Sequence, residues 1–302
     1  MIKKRVAVFI LLTVIFSCKK NEHTVTDGNM VHDTLNSIVI KEDSYKPIDT
    51  VCSPNNKTKD YIEALQWYNA KIRKEVVTNS LEKNNTLYKD YLKIRDKYIQ
   101  CISEINGDVL DKYVNYYDSE NGKYKFPENI KKLSAELKKV NLEFREVGEG
   151  YTEVWSDSNY YYNIFKNSVT FDYNDYIKQL SVEDRVNYAE DAGIVISWKE
   201  LGDRVIFWEN FIKKYPKSDL INIAKEKYNN YLYDYLFGMD NTPTYERADG
   251  KLYDENKDEF NRMIKKYPNS ETAKKVQELL DFFESQIPVD QIHDKVSIEK
   301  KY

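Results

Sequence analysis

The sequence predicts a mostly α-helical protein, in which a helical bundle is followed by repeat-like helical hairpins and one small β-hairpin lies near residues 140–156. Three observations predict this fold class. Apolar residues recur at spacings of three and four over most of the chain after residue 58, as in amphipathic helices. A pattern that contains Tyr-Pro-x-Ser occurs twice. No apolar run after residue 17 is long enough to cross a bilayer.

The chain divides into five segments by composition and patterning. Residues 1–17 are predicted to be a signal peptide, 18–57 a flexible tether, 58–147 an N-terminal helical domain, 148–287 a C-terminal helical repeat-like domain, and 288–302 a polar tail. The tether is polar, lacks a helical period and contains the turn-forming stretch KPIDTVCSPNNKTK.

The N-terminus has the parts of a signal peptide. Basic residues at positions 3–5 precede an apolar core at 6–16, which is shorter than the roughly 20 apolar residues of a membrane-spanning helix. The sequence Ile-Phe-Ser-Cys that ends at Cys18 resembles a bacterial lipobox. The resemblance implies removal of residues 1–17 and attachment of acyl chains to the Cys18 sulfur. An ordinary secretory signal and a short membrane anchor are the alternatives.

The lipobox resemblance also implies a location. Two or three acyl chains anchor a protein durably, so we expect the mature chain to be held at the cell outer membrane by its N-terminal lipid. The segment CKKNE at 18–22 resembles the tether that exports lipoproteins to the cell surface in Bacteroidetes-type bacteria. The sequence is compatible with anchoring in the periplasmic leaflet or in the surface-facing leaflet. The net charge of −4 becomes more negative without residues 1–17, which argues against a nucleic-acid partner.

Two helices are predicted to open the N-terminal domain. Apolar residues at 62, 65, 72 and 76 share one helical face, and those at 87, 91, 94, 98, 101 and 105 share another. We place the turn between them at Asn84-Asn85, and so short a turn makes the two helices antiparallel. Further helices are predicted from Val109 to Tyr117 and from Pro127, which is tolerated in a first helical turn.

The stretch VNLEFREVGEGYTEVW at 140–155 fits two structures. Val140, Phe144 and Val147 continue the helical spacing. Leu142 and Phe144 also alternate with polar residues, and Gly-Glu-Gly at 148–150 fits a hairpin turn. We favour the hairpin.

The C-terminal half contains one helical pattern twice. WENFIKKYPKSD at 208–219 returns as FNRMIKKYPNSE at 260–271, and each copy leads into another amphipathic helix. Ser197 and Glu200 form a capping box before the first copy. This helix–Tyr-Pro-x-Ser–helix unit resembles the tetratricopeptide-type repeats of outer-membrane lipoproteins, including those of the β-barrel assembly machinery. The resemblance covers residues 197–285 and implies stacked helical pairs with an extended surface for proteins or peptides.

The positions of the histidines argue against several chemistries. His23 and His32 lie in the tether, and His293 lies in the predicted tail. Ser-His-Asp and Cys-His catalysis and His-rich zinc sites all need imidazoles in the folded region. The sequence therefore predicts a non-enzymatic protein with no cofactor and no metal site.

Cys52 and Cys101 have two interpretations. Cys101 lies about 15 Å along the helical pair from the start of the first helix, at about 1.5 Å per residue. The tether residues after Cys52 span about 20 Å when extended, so a Cys52–Cys101 disulfide is permitted. Cys101 also fits the apolar face as a small hydrophobic residue.

One segment combines carboxylates with aromatic rings. Within GEGYTEVWSDSNYYYNIF at 148–165, the candidate ligand or partner surface consists of Tyr151, Trp155, Tyr160, Tyr161 and Tyr162. Carboxylates beside such rings can bind sugars, and two at the right separation can hydrolyse a glycoside. The same residues also fit a tyrosine-rich loop whose rings cover a small core. The insertion at 238–256 is a second candidate surface, because long loops often carry function.

Two functions follow as hypotheses. The first is a lipid-anchored, non-enzymatic scaffold or adaptor with a protein partner in the cell envelope. The second is glycan binding or hydrolysis through the segment from Glu149 to Asp157. The oligomeric state is left open by the sequence.

Overall fold

The computed structural model describes residues 48–148, 150–285 and 287–298. Cys18, the predicted signal peptide and most of the predicted tether lie outside these ranges. Helices make up 61% of the described residues and strands form only small two-stranded hairpins, which confirms the predicted mostly α fold class with a small β-hairpin.

The described residues contain 11 α-helices, eight short strands and two 3₁₀ helices. The α-helices are α1 (Thr58–Glu75), α2 (Leu81–Ile105), α3 (Gly107–Lys112), α4 (Glu128–Lys138), α5 (Ser158–Phe165), α6 (Phe171–Glu183), α7 (Trp198–Lys214), α8 (Ile221–Phe237), α9 (Asp254–Lys266), α10 (Glu271–Glu284) and α11 (Ile292–Lys295). The strands are β1 (Tyr117–Asp118), β2 (Lys123–Tyr124), β3 (Glu143–Gly148), β4 (Tyr151–Trp155), β5 (Ala189–Glu190), β6 (Gly193–Ile194), β7 (Gly238–Met239) and β8 (Thr242–Pro243). The 3₁₀ helices are Tyr113–Tyr116 and Val289–Gln291.

Helices α1 and α2 form the expected antiparallel pair. The ring centroids of Tyr61 and Tyr98 lie 5.6 Å apart near one end of the pair. At the other end, Asn84 Nδ2 donates to the Val76 carbonyl at 2.8 Å. The turn is not where we placed it, because α2 already begins after Ser80, whose Oγ accepts from the Lys83 amide at 3.4 Å.

Asn84 and Asn85 therefore lie inside α2, and the expected break at this position is wrong. Asparagine disfavours helices because its side chain competes for nearby backbone groups. Here the two side chains bond to other segments instead. Asn84 Nδ2 also donates to the Ser168 carbonyl at 2.7 Å, and Asn85 exchanges two hydrogen bonds with Thr170. The asparagines join the α1–α2 turn to the α5–α6 turn.

Strands β3 and β4 form the hairpin that the sequence favoured. Phe144 pairs with Val154, and both side chains are buried on the inner face. Gly148 and Gly150 have φ values of 109° and 80°, which side chains other than glycine rarely adopt. The glycines thus turn the chain at the end of the strand that the alternation of apolar and polar residues predicted. Val147 lies in β3, so the alternative of a continued helix is not observed.

The predicted third helix is shorter than expected. Helix α3 and the 3₁₀ helix that follows it end before Tyr117, which begins the β1–β2 hairpin. Helix α4 begins after Pro127 as predicted, and Ile130 and Leu137 are buried on its inner face.

The two copies of the sequence pattern form two helical pairs, α7–α8 and α9–α10. The first pair is antiparallel: Gly202 on α7 packs against the Tyr235 ring on α8, and Lys227 Nζ lies 5.5 Å from the Trp208 ring. Trp208 and its counterpart Phe260 are both fully buried. The repeated lysine-tyrosine contact before each proline also has the same geometry, with the ammonium 4.8 Å from the ring in both copies.

Serine residues cap two of the repeat helices, and the cap by Ser197 is the one that the sequence predicts. Ser197 Oγ accepts from the Glu200 amide at 3.2 Å, and Ser270 Oγ accepts from the Ala273 amide at 2.9 Å. The Glu200 carboxylate is directed differently from the expected capping box, since it accepts from Arg204 at 3.2 Å.

A buried carboxylate joins the two helical pairs. Glu209 on α7 accepts from the Glu271 amide at 2.8 Å, from the Thr272 amide at 3.0 Å and from Thr272 Oγ1 at 2.6 Å. Lys213 Nζ lies 2.5 Å from the same carboxylate. Glu209 therefore caps the N-terminus of α10, where the helix dipole also favours a negative charge.

We expect Glu209→Gln to lower the free energy of unfolding by about 1–3 kcal/mol at pH 7, because hydrogen bonds to charged groups are stronger than neutral ones. Burial raises the pKa of Glu209, but the bonds from Lys213, Thr272 and the two amides outweigh it and hold the pKa below the ordinary value of 4.5. A lowered folded pKa contributes stability above the unfolded pKa, and that stability is lost as the pH falls through the folded pKa.

The difference between wild type and Glu209→Gln should therefore be largest above pH 4.5 and should shrink in more acidic solution, as measured by urea unfolding across pH. Asn261, the exposed counterpart of Glu209 in the second copy, provides the control. Asn261→Ala should change stability by less than about 0.5 kcal/mol. A pH-independent loss in Glu209→Gln would contradict the assignment.

The described core consists of two clusters that share α1 and α2. The larger cluster contains most of α5 to α11, and it includes Tyr88 and Tyr91 of α2. The smaller one contains the α4 and β3–β4 residues, and it includes Tyr98 and Ile102 of α2. Arg95 lies between these two sets on α2 and is fully buried. The predicted boundary at 147/148 falls inside the β3–β4 hairpin.

Two predicted flexible ends are attached to this core. At the N-terminal side, Tyr98 Oη donates to the Ile48 carbonyl at 2.7 Å, and Cys52 forms a disulfide with Cys101. At the C-terminal side, residues 288–298 do not behave as a polar tail, because Ile292 and Val296 are buried one helical turn apart. None of the helices in the described ranges has the length and apolarity of a membrane span.

Candidate functional site

The five aromatic residues of the predicted surface do not share one surface. Tyr160 and Tyr161 are buried in the larger core cluster, so their assignment to a ligand surface is wrong. Tyr162 and Trp155 are half-buried, and Tyr151 is 70% exposed. Only Tyr151 keeps the exposure that a binding surface requires.

The reason is a helix that the sequence did not indicate. Asp157 Oδ1 accepts from the Asn159 amide at 2.7 Å and caps α5. Tyr160, Tyr161, Ile164 and Phe165 then fall on one face of α5, at the helical spacing of buried residues. Asp157 has a capping role, Glu153 is exposed and Glu149 lies outside the described residues.

The buried tyrosines surround Arg95. The guanidinium lies 4.7 Å from the Tyr160 ring and 5.6 Å from the Tyr161 ring. Its hydrogen bonds go to neutral oxygens: Nε donates to Ser156 Oγ at 3.1 Å, and one terminal nitrogen donates to the carbonyls of Val140 and Asn141 at 2.5 and 3.0 Å. Burial raises the pKa of both tyrosines, so the rings stay neutral at physiological pH. This network joins the two core clusters and has a structural role.

The four β-hairpins lie side by side along one edge of the helical body. We name residues 117–124, 143–155, 189–194 and 238–243 the hairpin rim. Tyr124 Oη of the first hairpin donates to Glu146 Oε2 of the second at 2.8 Å. A Cβ on Gly148 would lie 2.8 Å from Asp191 Oδ1, so the second and third hairpins touch at a glycine.

The third and fourth hairpins are joined by hydrogen bonds from backbone amides. The Asn241 amide donates to the Ala192 carbonyl at 3.0 Å, and the Ile194 amide donates to Thr242 Oγ1 at 2.6 Å. The turn of the third hairpin has two residues with positive φ, Asp191 at 47° and Ala192 at 55°. The tips of the second, third and fourth hairpins therefore contact one another, and the first hairpin is joined to the second through its strand residue Tyr124.

The rim exposes aromatic rings. Tyr117 is half exposed and its ring lies 5.2 Å from that of Tyr124, which in turn stacks on Phe126 at 5.3 Å. Burial and the neighbouring Glu146 raise the pKa of Tyr124 to about 12, so its hydroxyl remains a donor. Tyr151 lies on the adjacent hairpin.

The rim is also acidic. Asp and Glu outnumber Lys and Arg in its four sequence segments. The exposed acids include Glu120, Glu190, Asp191 and Asp240, which come from three different hairpins. Exposed tyrosines and an excess of one charge are features that protein interfaces commonly use.

Sequence reasoning found only part of the rim. The insertion at 238–256 was a predicted surface, and its first residues form the fourth hairpin. The first and third hairpins were missed. Their strands have two residues each, too short for visible alternation.

Histidine is rare in the described part of the chain, where His293 is the only one. No set of three or more His, Cys, Asp and Glu side chains there is arranged to hold a metal ion. His293 on α11 stacks on Tyr233 at 5.7 Å, and burial lowers its pKa. Comparison with known proteins adds no assignment: no family model, curated protein or solved structure matches the chain.

Proposed function

We propose that this chain is a lipid-anchored, non-enzymatic protein of the bacterial outer membrane that binds a protein or peptide partner through the hairpin rim. The observation that carries the proposal is the fixed alignment of four hairpins along one edge of the body. Loops that carry function are commonly held by a rigid scaffold. Here neighbouring hairpins contact one another, so we expect little ordering on binding.

The rings and charges of the rim support a protein partner. Tyrosine is enriched at protein interfaces because it offers a large, stiff contact area with a polar tip. The excess of acids favours a partner with a basic surface. The helical pairs behind the rim act as the scaffold, and the N-terminal lipid predicted at Cys18 holds the protein at the membrane.

Glycan binding through the segment from Glu149 to Asp157 has weaker support. Of the five aromatic residues of the candidate surface around this segment, Tyr160 and Tyr161 are in the core, and Asp157 caps a helix. Catalysis by a carboxylate pair also needs two acids aimed at one ligand. A tyrosine surface can still contact a sugar, so glycan capture is kept as an outcome of the test.

Site-specific photo-cross-linking in intact cells tests the rim. The full chain carries a benzophenone amino acid in place of Tyr151, and mass spectrometry identifies what it captures. The control places the same probe at Ile223, which is 43% exposed on α8 and outside the rim. We expect one reproducible protein adduct from position 151 and none of that protein from position 223.

A second variant checks that the adduct reflects binding. Tyr117→Ser removes another exposed rim ring, and we expect it to reduce the adduct at 151 by at least about tenfold, the loss typical of an interface hot spot. Val182→Ser is the matched control, since Val182 is 47% exposed on α6. Equal adducts at 151 and 223, or capture of glycan alone, would overturn the proposal.

A further inference from the structure

The turns within the helical pairs gather at the end of the body opposite the rim. Asn84 and Asn85 join the α1–α2 turn to the α5–α6 turn. Ser218 in the α7–α8 turn donates to Asp172 Oδ2 at 2.5 Å, next to the α5–α6 turn. We name residues 71–83, 163–175, 211–221 and 263–274 the turn end. Helix α7 has 17 residues and separates the two ends by about 25 Å.

Three large apolar side chains are exposed on the first two of these turns. Phe171 is 81% exposed, Val77 is 76% exposed and Leu81 is 42% exposed. Val77 follows Val76, whose carbonyl binds Asn84, and Phe171 follows the Thr170 that binds Asn85. The asparagine contacts therefore join the two turns that carry these three apolar side chains.

The turn end is basic, whereas the whole chain is acidic. Lys and Arg outnumber Asp and Glu in its four segments, although the chain carries a formal charge of −4. Arg73, Lys83 and Lys166 are exposed around the apolar residues. The repeated Ile-Lys-Lys-Tyr-Pro sequence adds lysines at 213–214 and 265–266, which are also exposed.

Several acids at this end are already engaged. Glu75 pairs with Lys71 at 3.7 Å, and Asp175 accepts from Lys214 at 2.9 Å and from Tyr215 at 2.7 Å. Asp172 accepts from two hydroxyl groups, those of Thr170 and Ser218. These pairs engage Lys71 and Lys214 as well, and the exposed cations beside the apolar residues that these acids do not engage include Arg73, Lys83 and Lys166.

We propose that the turn end docks on an anionic lipid surface, with Phe171, Val77 and Leu81 in the interfacial layer and the lysines against the headgroups. Apolar side chains ringed by basic residues are the pattern of interfacial membrane binding. The acidic rim would be repelled by the same surface and would face away from it. This inference goes beyond the proposed role of the rim and does not depend on it.

The test measures local contact, because the N-terminal segment alone can hold the full chain on a vesicle. A benzophenone amino acid replaces Phe171 in the full chain, which is reconstituted with vesicles of phosphatidylethanolamine and phosphatidylglycerol. Mass spectrometry of the peptide around position 171 then counts lipid adducts. The control carries the probe at Tyr151 on the rim. We expect at least about tenfold more lipid adduct at 171 than at 151, given the apolar area that Phe171 can bury.

Charge supplies the second readout. Lys83→Glu with Lys166→Glu should reduce the lipid adduct at 171 by roughly tenfold or more, since each basic residue near an anionic surface contributes measurably. Vesicles of phosphatidylcholine alone should give a similar reduction. Both exchanged side chains are exposed, so the fold is expected to persist. Equal lipid adducts at 171 and 151, no effect of charge, or protein adducts at 171 in place of lipid in intact cells would each overturn the proposal.

Discussion

Arg95→Ala is expected to lower the free energy of unfolding by about 3–5 kcal/mol. The substitution removes the donor that serves the carbonyls of Val140 and Asn141. Leaving a buried acceptor without a partner costs about 1–3 kcal/mol for each group, and the truncated side chain leaves a cavity between the two core clusters. Urea unfolding followed by circular dichroism measures the loss as a lower midpoint.

Two variants separate the causes of this effect. Arg95→Lys keeps the charge but loses the planar fork that reaches Ser156 and the two carbonyls together, so it should recover only part of the stability. Lys97→Ala alters an exposed residue on the same helix and should cost less than about 0.5 kcal/mol. If Arg95→Ala were as mild as Lys97→Ala, the network would not join the clusters as described.

The role of Arg95 shows where sequence reasoning reached its limit. Apolar spacing predicted the inner faces of α1, α2 and α4, because burial of those faces follows directly from the helical period. The helical period does not predict whether an arginine on the same face is buried. Its burial depends on acceptors from Val140, Asn141 and Ser156, which come close only after the β3–β4 hairpin has folded against α2.

Specific contacts that apolar spacing does not reveal also explain the errors in the candidate surface and in the first turn. A run of tyrosines is compatible with a loop or a helix, and the Asp157 cap decides between them. Asn84-Asn85 reads locally as a helix break, but contacts with Val76, Ser168 and Thr170 stabilise it inside α2. At Asn84-Asn85, contacts distant in sequence overrode a local preference, whereas the Asp157 cap is a local contact that the pattern of tyrosines did not reveal.

The hairpin rim shows how far a candidate functional surface could be predicted from the sequence. The β3–β4 hairpin was predicted because its strands are long enough to alternate and its turn contains two glycines. The alignment of four hairpins depends on single contacts between tips, such as that of Asn241 with Ala192. Residue types in a turn reveal that it is a turn, and they do not reveal its neighbour.

Removing the Cys52–Cys101 disulfide is the other substitution with a large expected effect. The bond closes a loop with a sequence separation of 49 residues. Cross-linking so long a loop restricts the unfolded chain, and its loss is expected to cost about 4 kcal/mol in the chain-entropy model. We expect Cys52→Ala and the wild-type protein in excess reductant to lose nearly the same free energy of unfolding, because both open the same loop.

Cys101→Ala should cost about 1 kcal/mol more than Cys52→Ala, and this difference separates the two roles of the cysteine. The sequence permitted either a disulfide or a small core residue, and the structure has both, since Cys101 is bonded and fully buried. Opening the loop is common to the two variants, whereas only Cys101→Ala also leaves a cavity. The double variant should lose the same free energy of unfolding as Cys101→Ala, apart from the minor packing contribution of Cys52. Either single substitution already removes the disulfide, so the second one cannot remove it again. Additive losses in the double variant would show that the disulfide is not formed in the native protein.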